Sequence, residues 1–200
     1  MRVSYAFVLA FSIAAIDASA EQIIDATLDV VDSGNPDVEW HTENIVPYFR
    51  FIPGSISGNP VNDDILTATI DDRLHISKDL STWNEKARNE ALPLSESYIA
   101  AGVKIEPASA RLLRVGTFAY DFDHEIGLSV WFEDTAQDGA IILLYVSEPC
   151  RIFGSLTYED VEYSLDISLE EEGFHFVLSD PVNRIAKTEI EGQLIYRVTH

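Results

Sequence analysis

The sequence predicts a mainly β protein, an antiparallel β-sandwich or open barrel with a small α-helical insertion over about residues 82–101. Three observations carry this reading. Apolar and polar residues alternate with period 2 through most of the second half, turn residues punctuate the runs at short intervals, and only one central stretch follows the helical period.

Ahead of the first strand stands a segment of another kind. Arg2 is followed by an apolar run from Val3 to Ile16 and then by Ala18-Ser19-Ala20, small residues at the first and third positions of an A-x-A cleavage site. Fourteen residues at 1.5 Å each fall short of a hydrocarbon core of ~30 Å. Residues 1–20 are therefore expected to be a secretory signal peptide, and residues 21–200 one acidic β-rich domain that is periplasmic or secreted, with no membrane insertion after cleavage.

Thr27 to Val31, Val46 to Ile52, Leu66 to Ile70 and Leu74 to Ser77 read as strands, separated by Gly34-Asn35-Pro36, Pro53-Gly54 and Gly58-Asn59-Pro60. The β pattern then breaks. Thr82 and Glu85 have capping-box spacing, and Trp83, Ala87 and Ala91 recur one turn apart, which predicts a helix of about nine residues. Ser95 to Ala101, closed by Gly102, predicts a second short helix.

Ile126, Leu128, Val130 and Phe132 alternate with Gly127, Ser129, Trp131 and Glu133, as in a strand with one buried face. Asp134 to Gly139 reads as a six-residue hairpin loop ending in the turn dipeptide Asp138-Gly139. Ala140 to Val146 is continuously apolar, the pattern of a central strand covered on both sides. Residues 151–158 supply another strand. Val161 to Leu169 alternates almost without fault, with Glu162 and Asp166 on its outer face, and Glu170-Glu171-Glu172-Gly173 turns it into a strand at Phe174 to Leu178. The last strand is expected at Ile190 to Val198, with Gly192 as a bulge.

The formal charge is −21. Eleven acids and one base, Arg50, lie between Glu21 and Asp72; fifteen acids and one base, Arg151, lie between Asp121 and Asp180. Residues 73–120 hold five acids and seven bases. Such a balance excludes nucleic acid and anionic membrane surfaces as partners. It favours a cationic partner, either a basic protein or a divalent metal, and adaptation to salty surroundings is the competing cause.

The single cysteine, Cys150, rules out an intrachain disulfide and reads as a buried, inert thiol. Asp121, Asp123 and Glu125 would share one face of an extended strand and form half of a calcium site, although no EF-hand pattern is present. No other cofactor is implied. His41, His75, His124, His175 and His200 lack metal-ligand spacing, and His75 and His175 read as structural. Gly54-Ser55-Ile56-Ser57-Gly58 places Ile56 where a nucleophile elbow needs serine, so the sequence names no catalytic residue. Trp40, Trp83, Trp131, Tyr48 and Tyr98 are the side chains suited to stacking on a sugar or anchoring an interface; Trp131 stands opposite the apolar face of its strand, with burial under a second sheet or the insertion as the alternative.

These features converge on an exported non-enzymatic binding protein of the inhibitor or immunity type. It would capture a basic protein through a face containing Asp121, Asp123, Glu125, Trp131, Glu162 and Asp166. A calcium- or carbohydrate-binding β-sandwich module is the first alternative, and an extracytoplasmic carboxylate-dependent hydrolase the second.

Overall fold

The apolar run Ile141 to Val146 sends its side chains alternately to two cores, and the rest of the chain is arranged to cover them. The computed structural model describes residues 23–31, 45–56, 66–67, 69–70, 75–121, 126–158, 161–180, 185–187 and 193–199. The expected signal peptide, Trp40, His41, Asp123, His124, Glu125, Gly192 and His200 lie outside the described residues.

The strands are β1 (Ile23–Val31), β2 (Ile45–Pro53), β3 (Leu66–Thr67), β4 (Thr69–Ile70), β5 (His75–Asp79), β6 (Lys104–Glu106) and β7 (Leu112–Asp121) in the first half. The second half adds β8 (Ile126–Asp134), β9 (Gln137–Val146), β10 (Cys150–Tyr158), β11 (Val161–Leu169), β12 (Gly173–Asp180), β13 (Ile185–Lys187) and β14 (Leu194–Thr199). They pair in the order β4-β5-β1-β14-β8-β7-β9-β12-β13-β11-β10-β6, with β2 joined to β7 and β3 to β2. The fold is mainly β, as a β-sandwich or open barrel with a small helical insertion requires. Pairing is antiparallel except for β1 with β14 and β11 with β13. Neither parallel pair is joined by a hairpin, so the intervening chain supplies the crossover that parallel strands need.

β7 organises the sheet. It runs antiparallel to β2 from Leu113 to Asp121, and its other edge pairs with β9 over Leu112–Val115 and with β8 over Ala119–Asp121. The β8–β9 hairpin is paired at its tip and splays to receive β7 between its arms. The sequence pattern does not reveal β7, because both faces are covered and Arg114 and Gly116 interrupt any alternation. The hairpin loop is also shorter than the six residues expected: Asp134 pairs with Gln137 across Thr135 and Ala136. Asp138-Gly139 instead lies in the irregularity that follows, where Gly139 takes φ 141°, open to glycine at little cost.

The first core is aromatic. Trp83 packs against Phe49 (5.4 Å between centroids), Phe51 (6.2 Å) and Phe174 (6.3 Å), and Phe132 meets Tyr196 at 5.1 Å and 65°. The second is aliphatic, formed by Leu112, Leu144, Val146, Ile152, Ile167 and Leu169 with Leu94 and Tyr98. From β9, Ile141, Leu143 and Tyr145 enter the first core, and Leu144 and Val146 the second.

The helical insertion comprises a 3-10 turn at Leu80–Trp83, α1 (Asn84–Glu90) and α2 (Glu96–Ala101). The Thr82–Glu85 capping box is replaced by an earlier cap: Asp79 accepts from the Ser81 backbone N–H at 2.8 Å, and Thr82 Oγ1 donates to the Asp79 carbonyl at 2.7 Å. Trp83, fixed in the aromatic core, sets the direction of α1, while fully buried Ala87 and Ala91 allow close approach. Gly102 closes α2 with φ 103°, as expected. No described helix is long and apolar enough to cross a membrane.

Candidate binding surface

On β8, Val130 and Phe132 turn toward the aromatic core, so Trp131 and Glu133 share the opposite face. Arg197 of β14 is the register partner of Trp131. Arg197 Nε donates to Glu133 Oε2 at 2.8 Å, and the Trp131 indole N–H donates to Glu133 Oε1. Both carboxylate oxygens are thus engaged, and the indole is half-buried, between the two placements that the sequence allows.

On β11, Ile167 and Leu169 are buried, while Glu162, Ser164, Asp166 and Ser168 are exposed, and Glu170 and Glu171 extend the exposed row into the turn. Asp166 is not an isolated charge. Arg151 of the neighbouring β10 holds it with Nε to Oδ1 at 2.7 Å and Nη2 to Oδ2 at 2.9 Å, and the guanidinium lies 5.1 Å from the Phe153 ring centroid. That hydrogen bond lowers the Asp166 pKa from its ordinary value.

The six residues expected to form one face are distributed over the sheet. Glu162 and Asp166 belong to β11, separated in the pairing order from Trp131 by β9, β12 and β13. Asp121 ends β7 opposite Ile45 and Ile126, and Asp123 and Glu125 lie outside the described residues. Among the described residues, no group of three His, Cys, Asp or Glu side chains is placed to hold a metal ion. Trp83 and Tyr98 belong to the cores rather than to a binding surface. His175 is structural as expected, with Nε2 at 3.0 Å from the Glu171 carbonyl oxygen.

Two further arrangements were missed at the sequence level. Glu172 Oε1 accepts from Arg88 Nε at 2.8 Å and from the Tyr145 hydroxyl at 2.9 Å, tying α1 to the turn before β12. Arg88 holds the Glu172 carboxyl below its ordinary value, and burial, reinforced by Glu172, pushes the Tyr145 phenol up to about 12. The second arrangement places Arg50 and Arg114 on one face of the β2–β7 pair. Its sequence signal was Arg50 itself, the lone base among eleven acids. Cys150 is buried, and burial pushes its thiol up to about 11, so it is not a thiolate nucleophile at neutral pH.

Comparison with protein-family models, curated proteins and solved structures gave no match. The chemistry of the surfaces is therefore the basis for assigning function.

Proposed function

We propose that the protein is an exported, non-enzymatic binding protein that captures a basic protein partner through acidic surface, as an inhibitor or immunity-type protein does. The observation that carries this reading is the outer face of β11, where Glu162, Asp166 and Ser168 run exposed into Glu170 and Glu171. In a chain of charge −21 such a strip attracts cations and raises association rates by about 10 to 10³ fold through steering. Phe153 and Trp131, half-buried at their strand faces, are the aromatic groups that would carry affinity once charge has brought a partner close.

The test is capture by the full chain from an extract of its own cells, with low- and high-salt washes and mass spectrometry. One basic exported protein, held in stoichiometric amount and released by salt and by Glu162→Lys with Glu170→Lys, is the expected result. Retention unchanged by both treatments sinks the acidic-face reading. Export itself predicts a mature N-terminus at Glu21, read by N-terminal sequencing of the extracytoplasmic fraction.

A carbohydrate-binding reading draws support from Trp131, an aromatic ring between a carboxylate and a guanidinium. That combination suits stacking on a sugar and hydrogen bonding to its hydroxyls. Trp131→Ala would then abolish retention on an oligosaccharide array while leaving protein capture intact.

A further inference from the structure

Phe49 and Phe51 of β2 enter the aromatic core, which leaves Tyr48, Arg50 and Ile52 on the other face. Arg50 is opposite Gly116 of β7, and Ile52 is opposite Arg114. Arg50 and Arg114 are therefore diagonal neighbours, a relation that separates positions by roughly 7–8 Å. Leu144 of β9 flanks Arg114 on its other side. None of these register neighbours is a carboxylate.

That absence matters in a chain with 34 acids. Arg88, Arg151 and Arg197 each hold a carboxylate, Glu172, Asp166 and Glu133 respectively. Arg50 instead lies over two rings, with its guanidinium carbon 5.6 Å from the Tyr48 centroid and 5.9 Å from that of Phe118. The rings themselves stack at 5.3 Å and 15°. Arg50 Nε is buried and has no hydrogen-bond partner among the described residues.

The floor between the two arginines is low. A Cβ on Gly116 would meet the Phe118 ring at 2.9 Å and Ile52 Cδ1 at 3.0 Å, so only backbone fills the position opposite Arg50. Beside Arg114 the second core presents more hydroxyl groups, where Tyr98 and Ser55 meet at 3.2 Å between oxygens. Burial lowers the Arg114 pKa, the mark of a cation held away from water. Two like charges on a half-buried face without an acid raise the free energy of the folded state, and an anion bound between them would relieve it. Guanidinium forks bind planar carboxylates and phosphates through paired N–H groups, and the stacked rings offer an apolar wall beside them.

We propose that Arg50 and Arg114 form a binding site for the oxyanion of a small organic acid, a carboxylate or phosphate ester bearing an aromatic or apolar group. This site lies apart from the β11 strip, so its success or failure leaves the capture of a basic protein unaffected.

The experiment uses the full chain with nitrogen-15-labelled arginine and follows the Arg Nε–Hε signals while benzoate, phenyl phosphate, acetate or inorganic phosphate is added at fixed ionic strength. Saturable shifts of the Arg50 and Arg114 signals are expected, with the aromatic anions binding more tightly than acetate or phosphate. Comparing benzoate with phenyl phosphate separates the carboxylate from the phosphate source. Arg50→Gln should weaken binding at least roughly tenfold, about the loss of one charge-assisted hydrogen bond, while the exposed-site control Lys104→Gln leaves it unchanged. If Arg50→Gln fails to fold, Arg50→Lys keeps the charge and removes the fork, and should weaken binding in the same direction. Absence of saturable shifts in the unaltered protein at millimolar anion would overturn the proposal, as would binding equally tight in Arg50→Gln or Arg50→Lys.

Discussion

The two cores on either side of β9 solve the same burial problem with different chemistry. The first is built from rings: Phe49, Trp83, Phe132 and Tyr196 meet at tilted or edge angles, and its phenols are anchored, Tyr196 to the Phe118 carbonyl at 2.6 Å and Tyr145 to Glu172. The second is built from branched aliphatic side chains, with its polar fringe at Arg114, Tyr98 and Ser55. Rings bury more area and depend on particular angles and partners, whereas aliphatic groups tolerate small changes in shape. The first core should therefore be the more sensitive to substitution.

The strongest test of that difference sets Phe132→Ala, expected to cost about 3–5 kcal/mol, against Ile152→Val, expected to cost about 0.5–1.5 kcal/mol. Urea unfolding at unchanged slope reads both. A loss at Ile152→Val as large as that at Phe132→Ala would break the comparison.

The aliphatic side has one rigid point. A Cβ at Gly154 of β10 would lie 2.2 Å from the Gly102 carbonyl oxygen, and Gly154 takes φ 126°. Gly154→Ala should cost about 1–3 kcal/mol through overpacking, with added backbone strain, and displace the end of α2. A melting temperature equal to that of the unaltered protein would show that α2 is not held there.

Tyr196→Phe removes the donor to the buried Phe118 carbonyl and should cost about 1–3 kcal/mol with no change in ring packing. The smallest effects concern pH. Glu172 is depressed in the folded state, so its contribution is present above the ordinary glutamate range and disappears as pH falls through the folded value. Tyr145 is raised from 10.0 to about 12, so its contribution is present below about pH 10 and is lost as pH rises toward 12. Glu172→Gln should thus flatten the acid limb of the stability profile. Tyr145→Phe should reduce the alkaline limb without removing it, because burial also raises the Tyr196 phenol. Profiles unchanged by both substitutions would show that the α1 clip adds nothing.

The same contrast explains what could be read from the sequence. Val161–Leu169 was legible to the residue because one face meets water and the other does not, which writes alternation into the chain. Ala140 to Val146 was legible as doubly covered from its unbroken apolarity. β7 was not, since its covered faces include Arg114, Gly116 and Thr117, whose roles depend on β2, far away in the chain. Asp138-Gly139 has the composition of a turn, and only strand register shows that it serves an irregularity instead. At the surface, alternation correctly set Trp131 opposite Phe132. The partnership of Arg50 with Arg114 is a product of pairing between distant strands, which no local pattern contains.

β9 makes the two cores mutually dependent. Its odd-numbered residues from Ile141 to Tyr145 stabilise one and Leu144 with Val146 the other, so detaching the strand to open either core strips side chains from both. Neither half can melt alone at low cost. The backbone amides of Ile141 to Val146 should exchange with solvent only through the global opening of the molecule, making this strand the slowest-exchanging part of the chain.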